Sequence, residues 1–278
     1  MNIETSSVLR PTGDAESRIP KKNFAAGSRP AITIRGLKKN FGGSTLYDGL
    51  DLDIPKGSFI SVFGPNGCGK STLINLISGL ISIDGGEILF DGRSVKEVTI
   101  GYVFQNYRDA LFPWMSARDN IEYPLKVRGW TPEDRKARVD ELIEQFDVKF
   151  DLNRRSFEMS GGQQQLVSIL RALAPRPEVM FLDEPFSALD YEMTLFIRER
   201  LQTVFLQTGI TMMLVSHDLE EAVYLADHVL LLTKRPTQVA DIIDVVAPRP
   251  RNERTLSDPT FVETKALSLS IFQQEVRK

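Results

Sequence analysis

Apolar and polar residues alternate over positions 31–35 (Ala-Ile-Thr-Ile-Arg) and 50–54 (Leu-Asp-Leu-Asp-Ile). A period of two predicts half-exposed antiparallel strands. Positions 59–63 are almost wholly apolar and predict a short buried strand, followed by a helical pattern over 70–81. Further strands are predicted at 87–90 and 100–104, the first closed by an Asp91-Gly92 turn signal. Beyond Gln105 the period becomes helical, with helices expected at 116–127, 132–146 and 160–173. The second has a clear start: Thr131 can cap it, Pro132 suits the first helical position, and Glu133 and Asp134 suit the positive end of the helix dipole. Pro175 and Pro177 stop the third. Strands and helices then alternate at 179–182, 192–207, 211–215, 219–225 and 229–232, and a terminal helix is expected near 259–274. Such alternation predicts a parallel sheet with crossover helices.

The expected fold is therefore α/β. It has a parallel-sheet core, an antiparallel β subdomain and an inserted all-helical subdomain at about 106–176. Residues 1–30 scatter Ser, Pro, Gly and charges without the apolar core of a signal peptide, and are read as a mobile tail. The folded domain is expected over 31–250, with 251–278 as a tail carrying the last helix.

Composition acts mainly by exclusion. Of 278 residues, 42% are hydrophobic and 26% charged, as in an ordinary globular protein able to bury a sizeable core. With 34 basic and 37 acidic residues the net charge is -3, which advertises neither nucleic acid nor an anionic membrane as a bulk electrostatic partner. No stretch approaches the ~20 apolar residues that a membrane-spanning helix needs, so work at a membrane requires docking onto something else. The single cysteine, Cys68, can form no internal disulfide, and a reducing compartment suits that usage.

Candidate chemistry starts at Gly64-Pro65-Asn66-Gly67-Cys68-Gly69-Lys70-Ser71, which fits G-x-x-x-x-G-K-[ST] in full. It lies between a predicted strand and a predicted helix, the context that separates a phosphate-binding loop from a glycine-rich turn with a chance lysine. The glycines let backbone N–H groups curl around phosphates at a helix N-terminus, with Thr72 in its first turn. Lys70 would neutralise phosphate charge and the Ser71 hydroxyl would ligate Mg²⁺. Cys68 is read as a small residue tolerated in the loop. The run Val179-Met180-Phe181-Leu182 ends in Asp183, the acidic metal partner such a loop requires. Glu184 follows, where a carboxylate can orient and polarise a water attacking the γ-phosphate.

Ser160-Gly161-Gly162-Gln163, opening a helix just upstream of that strand, narrows the class further. With these motifs the sequence resembles the ATP-binding subunit of an ABC transporter, from Ala31 to about Arg251. Met159 stands before the signature where Leu is usual. Gln105 matches the Q-loop glutamine, Ser187-Ala188-Leu189-Asp190 the D-loop and His217 the switch histidine, while Phe41 stands where the family stacks an aromatic on adenine. His228, the other histidine, is read as a strand-edge residue. The value of Gln105 and His217 comes from falling in register with the rest.

That resemblance implies an ATP hydrolase using ATP and Mg²⁺. Glu184, His217 and Lys70 would serve catalysis, and Ser71, Gln105 and Asp183 the metal. Ser160, Gly161, Gly162 and Gln163 would face the P-loop of a second ATPase subunit, so that two ATP molecules hold a head-to-tail dimer together. The implied partners are that subunit, transmembrane permease subunits and, through the complex, a periplasmic or extracellular solute-binding protein, but no nucleic acid. The implied location is the cytoplasmic face of the cell membrane. Phe104-Gln105 followed by Leu111-Phe112-Pro113-Trp114, and Arg235-Pro236 leading a strand toward Pro248-Arg249-Pro250-Arg251, are similar to importers of the nitrate, sulfonate, taurine and bicarbonate group. Phe112 and Trp114 are expected at a groove rim that receives a cytoplasmic helix of the permease. A soluble ABC-type ATPase acting on DNA or ribosomes is the alternative; the chain has no heptad run, tandem ATPase domain or basic linker to support it. Leu166 departs from the family, which usually has Arg there, and is expected to affect packing between insert and core.

Overall fold

A computed structural model of the chain describes Phe24, residues 29–187 and residues 189–277. The expected mobile tail therefore falls largely outside the described residues, as does Ala188 of the D-loop.

Two sheets organise the molecule. The smaller is antiparallel, in the order β2-β1-β4, from β1 (Pro30–Phe41), β2 (Ser44–Pro55) and β4 (Gly85–Phe90). The alternation at 31–35 and 50–54 marks only the most regular parts of β1 and β2. Both strands run longer because register shifts absorb the irregular positions around Leu37 to Asn40.

The larger sheet has six strands in the order β5-β6-β7-β3-β8-β9. Its members are β3 (Phe59–Phe63), β5 (Ile100–Val103), β6 (Val179–Asp183), β7 (Thr211–Val215), β8 (His228–Leu232) and β9 (Val239–Asp244). The first five in that order are parallel, as expected, and β9 closes the edge antiparallel to β8. Every residue of β3, β6 and β7 is buried, which is why these segments read as continuous apolar runs.

Between β5 and β6 lie the helices α2 (Tyr107–Ala110), α3 (Ala117–Val127), α4 (Pro132–Gln145) and α5 (Gly161–Leu173). Their starts obey local chemistry. Ser116, Thr131 and Ser160 accept from the third backbone N–H of α3, α4 and α5, satisfying donors that a helix start leaves unpaired. The remaining helices are α1 (Lys70–Ile77), α6 (Tyr191–Thr208), α7 (Leu219–Leu225) and α8 (Pro259–Arg277). α1 ends at Ile77, short of the predicted residue 81, because the chain turns through Gly79 in the left-handed region. α8 runs three residues beyond its expected end. It packs on α7, β8 and β9 with Phe261 fully buried, so this segment belongs to the folded body. No helix among the described residues is long and apolar enough to cross a membrane.

Strand register brings the candidate residues together. Val103 pairs with Leu182, Asp183 with Val215, and Val62 with both Val215 and Leu230. The segments after β3, β5, β6 and β7 therefore all leave the same carboxyl edge of the sheet, where open α/β folds place their ligands.

Candidate functional site

The loop between β3 and α1 is held from behind. Lys70 Nζ donates to the carbonyls of Gly64 (3.0 Å) and Pro65 (3.3 Å), Arg235 Nε to Gly67 (2.7 Å), Thr237 Oγ1 to Cys68 (2.6 Å) and the Tyr47 hydroxyl to Gly69 (2.9 Å). Within the curl the Cys68 N–H turns back to the Pro65 carbonyl at 3.2 Å; a glycine-rich curl of this kind at a helix start suits an anion. Gly69 sits at φ +100°, a conformation that favours glycine, and a Cβ there would also press on the Leu46 side chain at 2.8 Å. Asn66 and Gly67 are exposed at the loop tip, while Ser71 and Thr72 are half-buried in the first turn of α1. Cys68 is buried, and that burial raises its thiol pKa, so the thiolate is disfavoured.

Asp183 joins this loop through a hydrogen bond, and Gln105, Glu184 and His217 form a second bonded set that begins at the next residue. Ser71 Oγ donates to Asp183 Oδ1 at 2.8 Å. Gln105 Nε2 donates to Glu184 Oε2 at 2.7 Å, and the other oxygen of Glu184 pairs with His217 Nε2. Both carboxylate oxygens of Glu184 are thus occupied within the chain. Its side chain is nearly buried, whereas that of His217 is 53% exposed. Glu184 has φ +48°, a region that side-chain-bearing residues seldom adopt. Its N–H donates to Val215 at 2.9 Å, and Ser187 Oγ donates back to its carbonyl at 3.1 Å. Asp190 caps α6 by accepting from the N–H of Met193.

Asp183 has its pKa raised above the ordinary aspartate value. Burial is the largest cause and the neighbouring Glu184 charge adds to it, against the Ser71 hydrogen bond and the charges of His217 and Lys70. Among the described residues no group of three or more His, Cys, Asp or Glu side chains is arranged to hold a metal ion alone. A hydroxyl beside a buried carboxylate nevertheless suits Mg²⁺. That ion prefers hard oxygen donors and commonly takes few of them from protein, the rest coming from phosphates and water. Ser71 and Asp183 fit this description, and Gln105 lines one cavity together with Asp183.

Two candidate groups stay outside this hydrogen-bonded set. Phe41 ends β1 half-exposed, with Lys39 Nζ 5.1 Å above its ring. Ser160 is exposed and its hydrogen bonds stay local: its Oγ accepts from the Gln163 N–H at 3.3 Å, and Gln163 Oε1 accepts from its N–H at 3.0 Å. Gly161 and Gln163 are half-buried in the same turn, and Gly162 packs against Met193 of α6. Leu166 is buried in the main apolar cluster. Tyr47, Thr237 and Gln165 matter to the site without having been singled out from sequence. Their partners lie 22, 169 and 20 residues away, a separation that leaves no local pattern.

A glycine loop between strand and helix, an acidic strand end and a parallel sheet together define a P-loop nucleotide-binding core. Residues 47–187 match the family described as ABC transporter, and this chain belongs to that family. It is 42% identical over 206 residues to an sn-glycerol-3-phosphate import ATP-binding protein of Rhizobium johnstonii, covering 72% of this chain and 55% of the relative. A spermidine/putrescine import ATP-binding protein of Haemophilus influenzae is 37% identical over 212 residues, covering 74% and 56%. The chain thus spans about half the length of these two curated relatives. An ATP-binding protein of Brucella abortus is 37% identical over 235 residues, covering 84% of this chain and 90% of the relative. Among solved structures, a dimeric ATP-binding cassette in a post-hydrolysis state bound to ADP and phosphate matches with TM-score 0.69 and 28% identity, covering 77% of this chain and 98% of that one.

Proposed function

We propose that this chain binds and hydrolyses ATP as the energising subunit of an ABC importer. The observation that carries the reading is the pair of hydrogen-bonded sets Ser71–Asp183 and Gln105–Glu184–His217, which meet at the consecutive residues Asp183 and Glu184. In this reading Lys70 and the loop amides hold the phosphates, and Phe41 offers a face for the adenine. Ser71, Asp183 and Gln105 hold Mg²⁺, which when bound neutralises phosphate charge. Glu184 polarises the attacking water, and His217 trades its contact with Glu184 for the γ-phosphate, freeing one carboxylate oxygen to accept a proton. Ser160 to Gln163 serve the nucleotide of a second copy, in keeping with the dimeric cassette among the structural relatives.

The helical insert at about 106–176 carries the permease-facing surface in this reading. A groove of about 200 Å³ lies between β5 and the helices, lined by Tyr102, Phe104, Ala110, Pro124 and Arg128 among others. Phe104 and Trp114 are exposed nearby, and Trp114 stacks on Phe112 with ring centroids 5.3 Å apart. Exposed aromatics beside an apolar groove suit a docking helix. The relatives named for import of glycerol phosphate and of polyamines support import. The finer assignment to nitrate, sulfonate, taurine or a similar small anion rests on the loop and tail residues around Trp114 and Arg249. A solute-binding protein completes such a system, with this chain peripheral at the cytoplasmic face of the membrane.

Purification of the untagged chain's complexes from solubilised membranes tests the reading. Co-purification with a polytopic permease, with ATP hydrolysis stimulated by the transported anion, is the expected result. Recovery with ribosomes or DNA instead would establish the alternative of a soluble ABC-type ATPase.

A further inference from the structure

Gln165 lies just past the signature turn on α5 and is 1% exposed. Its Nε2 donates to the carbonyl of Pro185 at 2.7 Å. The orientation of the amide follows from chemistry, because a carbonyl oxygen can only accept. Its own Oε1 is buried without a hydrogen-bond partner, an arrangement that costs stability and leaves the NH₂ group as the polar end in use. Pro185 immediately follows Glu184, whose backbone is held at φ +48°. The turn is pinned on one side by the Glu184 N–H to Val215 and on the other by Gln165. Three residues before Gln165, a Cβ on Gly162 would lie 2.8 Å from the Met193 side chain of α6, so the first turn of α5 packs closely on α6.

We propose that Gln165 is a positioning residue that fastens the Glu184 turn to the signature turn of the same chain. The surface offered to a second copy's nucleotide and the carboxylate serving the chain's own nucleotide then move as one body. Occupancy of one composite site is relayed to the carboxylate of the other with the Gln165 side chain as a direct link. The inference rests on the reading of Glu184 and of Ser160 to Gln163 given above.

The test uses the full chain with Gln165→Met, which keeps the side-chain volume and removes the donor. Turnover at saturating ATP is expected to fall about tenfold, as small displacements of a catalytic group allow, with KM for ATP changed less than about twofold. In a Glu184→Gln background, where hydrolysis is blocked, the yield of ATP-bound dimer should equal that of Glu184→Gln alone. Unchanged turnover of Gln165→Met overturns the proposal. So does a loss of turnover matched by an equal loss of ATP-bound dimer, which would make Gln165 a packing residue only. A parental chain that hydrolyses no ATP would instead overturn the functional reading beneath it.

Discussion

The loop around Lys70 and the turn around Ser160 are both glycine-rich helix starts, yet neighbours hold them in opposite ways. Five carbonyls of the Lys70 loop are bound by Tyr47, Lys70, Arg235 and Thr237, and Ser71 is joined to Asp183. The Ser160 turn is capped by its own Gln163 and otherwise faces outward, tied to the rest of the core from behind through Gln165 and Gly162. A surface that receives a ligand alone needs its groups preorganised by the same chain. A surface completed by a second copy can stay open until that copy arrives. The contrast is what a composite site, half on each of two chains, requires.

The largest expected effect sharpens the Lys70 side of this comparison. Glu184→Gln should lower ATP hydrolysis by roughly a thousandfold, within the range for a lost general base, while ATP binding persists and an ATP-bound dimer accumulates. Hydrolysis at the parental rate would remove Glu184 from the role of base. Next comes a mixing experiment. Lys70→Ala and Ser160→Phe chains should each be inactive as homodimers. A mixture should recover up to about a quarter of the parental rate per chain: about half of random pairs combine both variants, and each such pair keeps one intact site of two. No recovery on mixing would mean that the loop and the turn act within one chain.

The smallest effect concerns the strain built into the Lys70 side. Burial raises the Asp183 pKa, so the ionised form is disfavoured by folding. The folded state binds this proton more tightly than the unfolded state does. Stability from Asp183 is therefore retained below its unfolded value and lost as pH rises through the folded one. Asp183→Asn should accordingly raise the Tm of the nucleotide-free protein at neutral pH while abolishing its response to Mg²⁺. The gain in Tm should shrink as pH falls into the ordinary aspartate range. A lower Tm at neutral pH would show that the charged form is favoured in the fold.

Much of the site was legible because its parts are local. The G-x-x-x-x-G-K-S spacing, the apolar run ending in Asp183 and the capped start at Ser160 each span a few residues, and their signals do not depend on distant partners. The same holds for Thr131 and Pro132 at the start of α4, where cap and ring act within one turn. The end of α1 was less legible, since the apolar pattern runs on to Ile81 while Gly79 turns the chain away.

By itself, then, the sequence determined the α/β class, the order of its elements and which residues stand as candidates for the phosphate loop, the acidic strand end and the signature turn, because periodicity, capping and glycine spacing act over a single turn or strand. Only the tertiary structure decided that Glu184 is held between Gln105 and His217, that Tyr47 and Thr237 brace the glycine loop, and that Gln165 ties two motifs together. Each of those contacts joins positions at least 20 residues apart. Sheet order and strand register, rather than any local pattern, bring such positions to one edge.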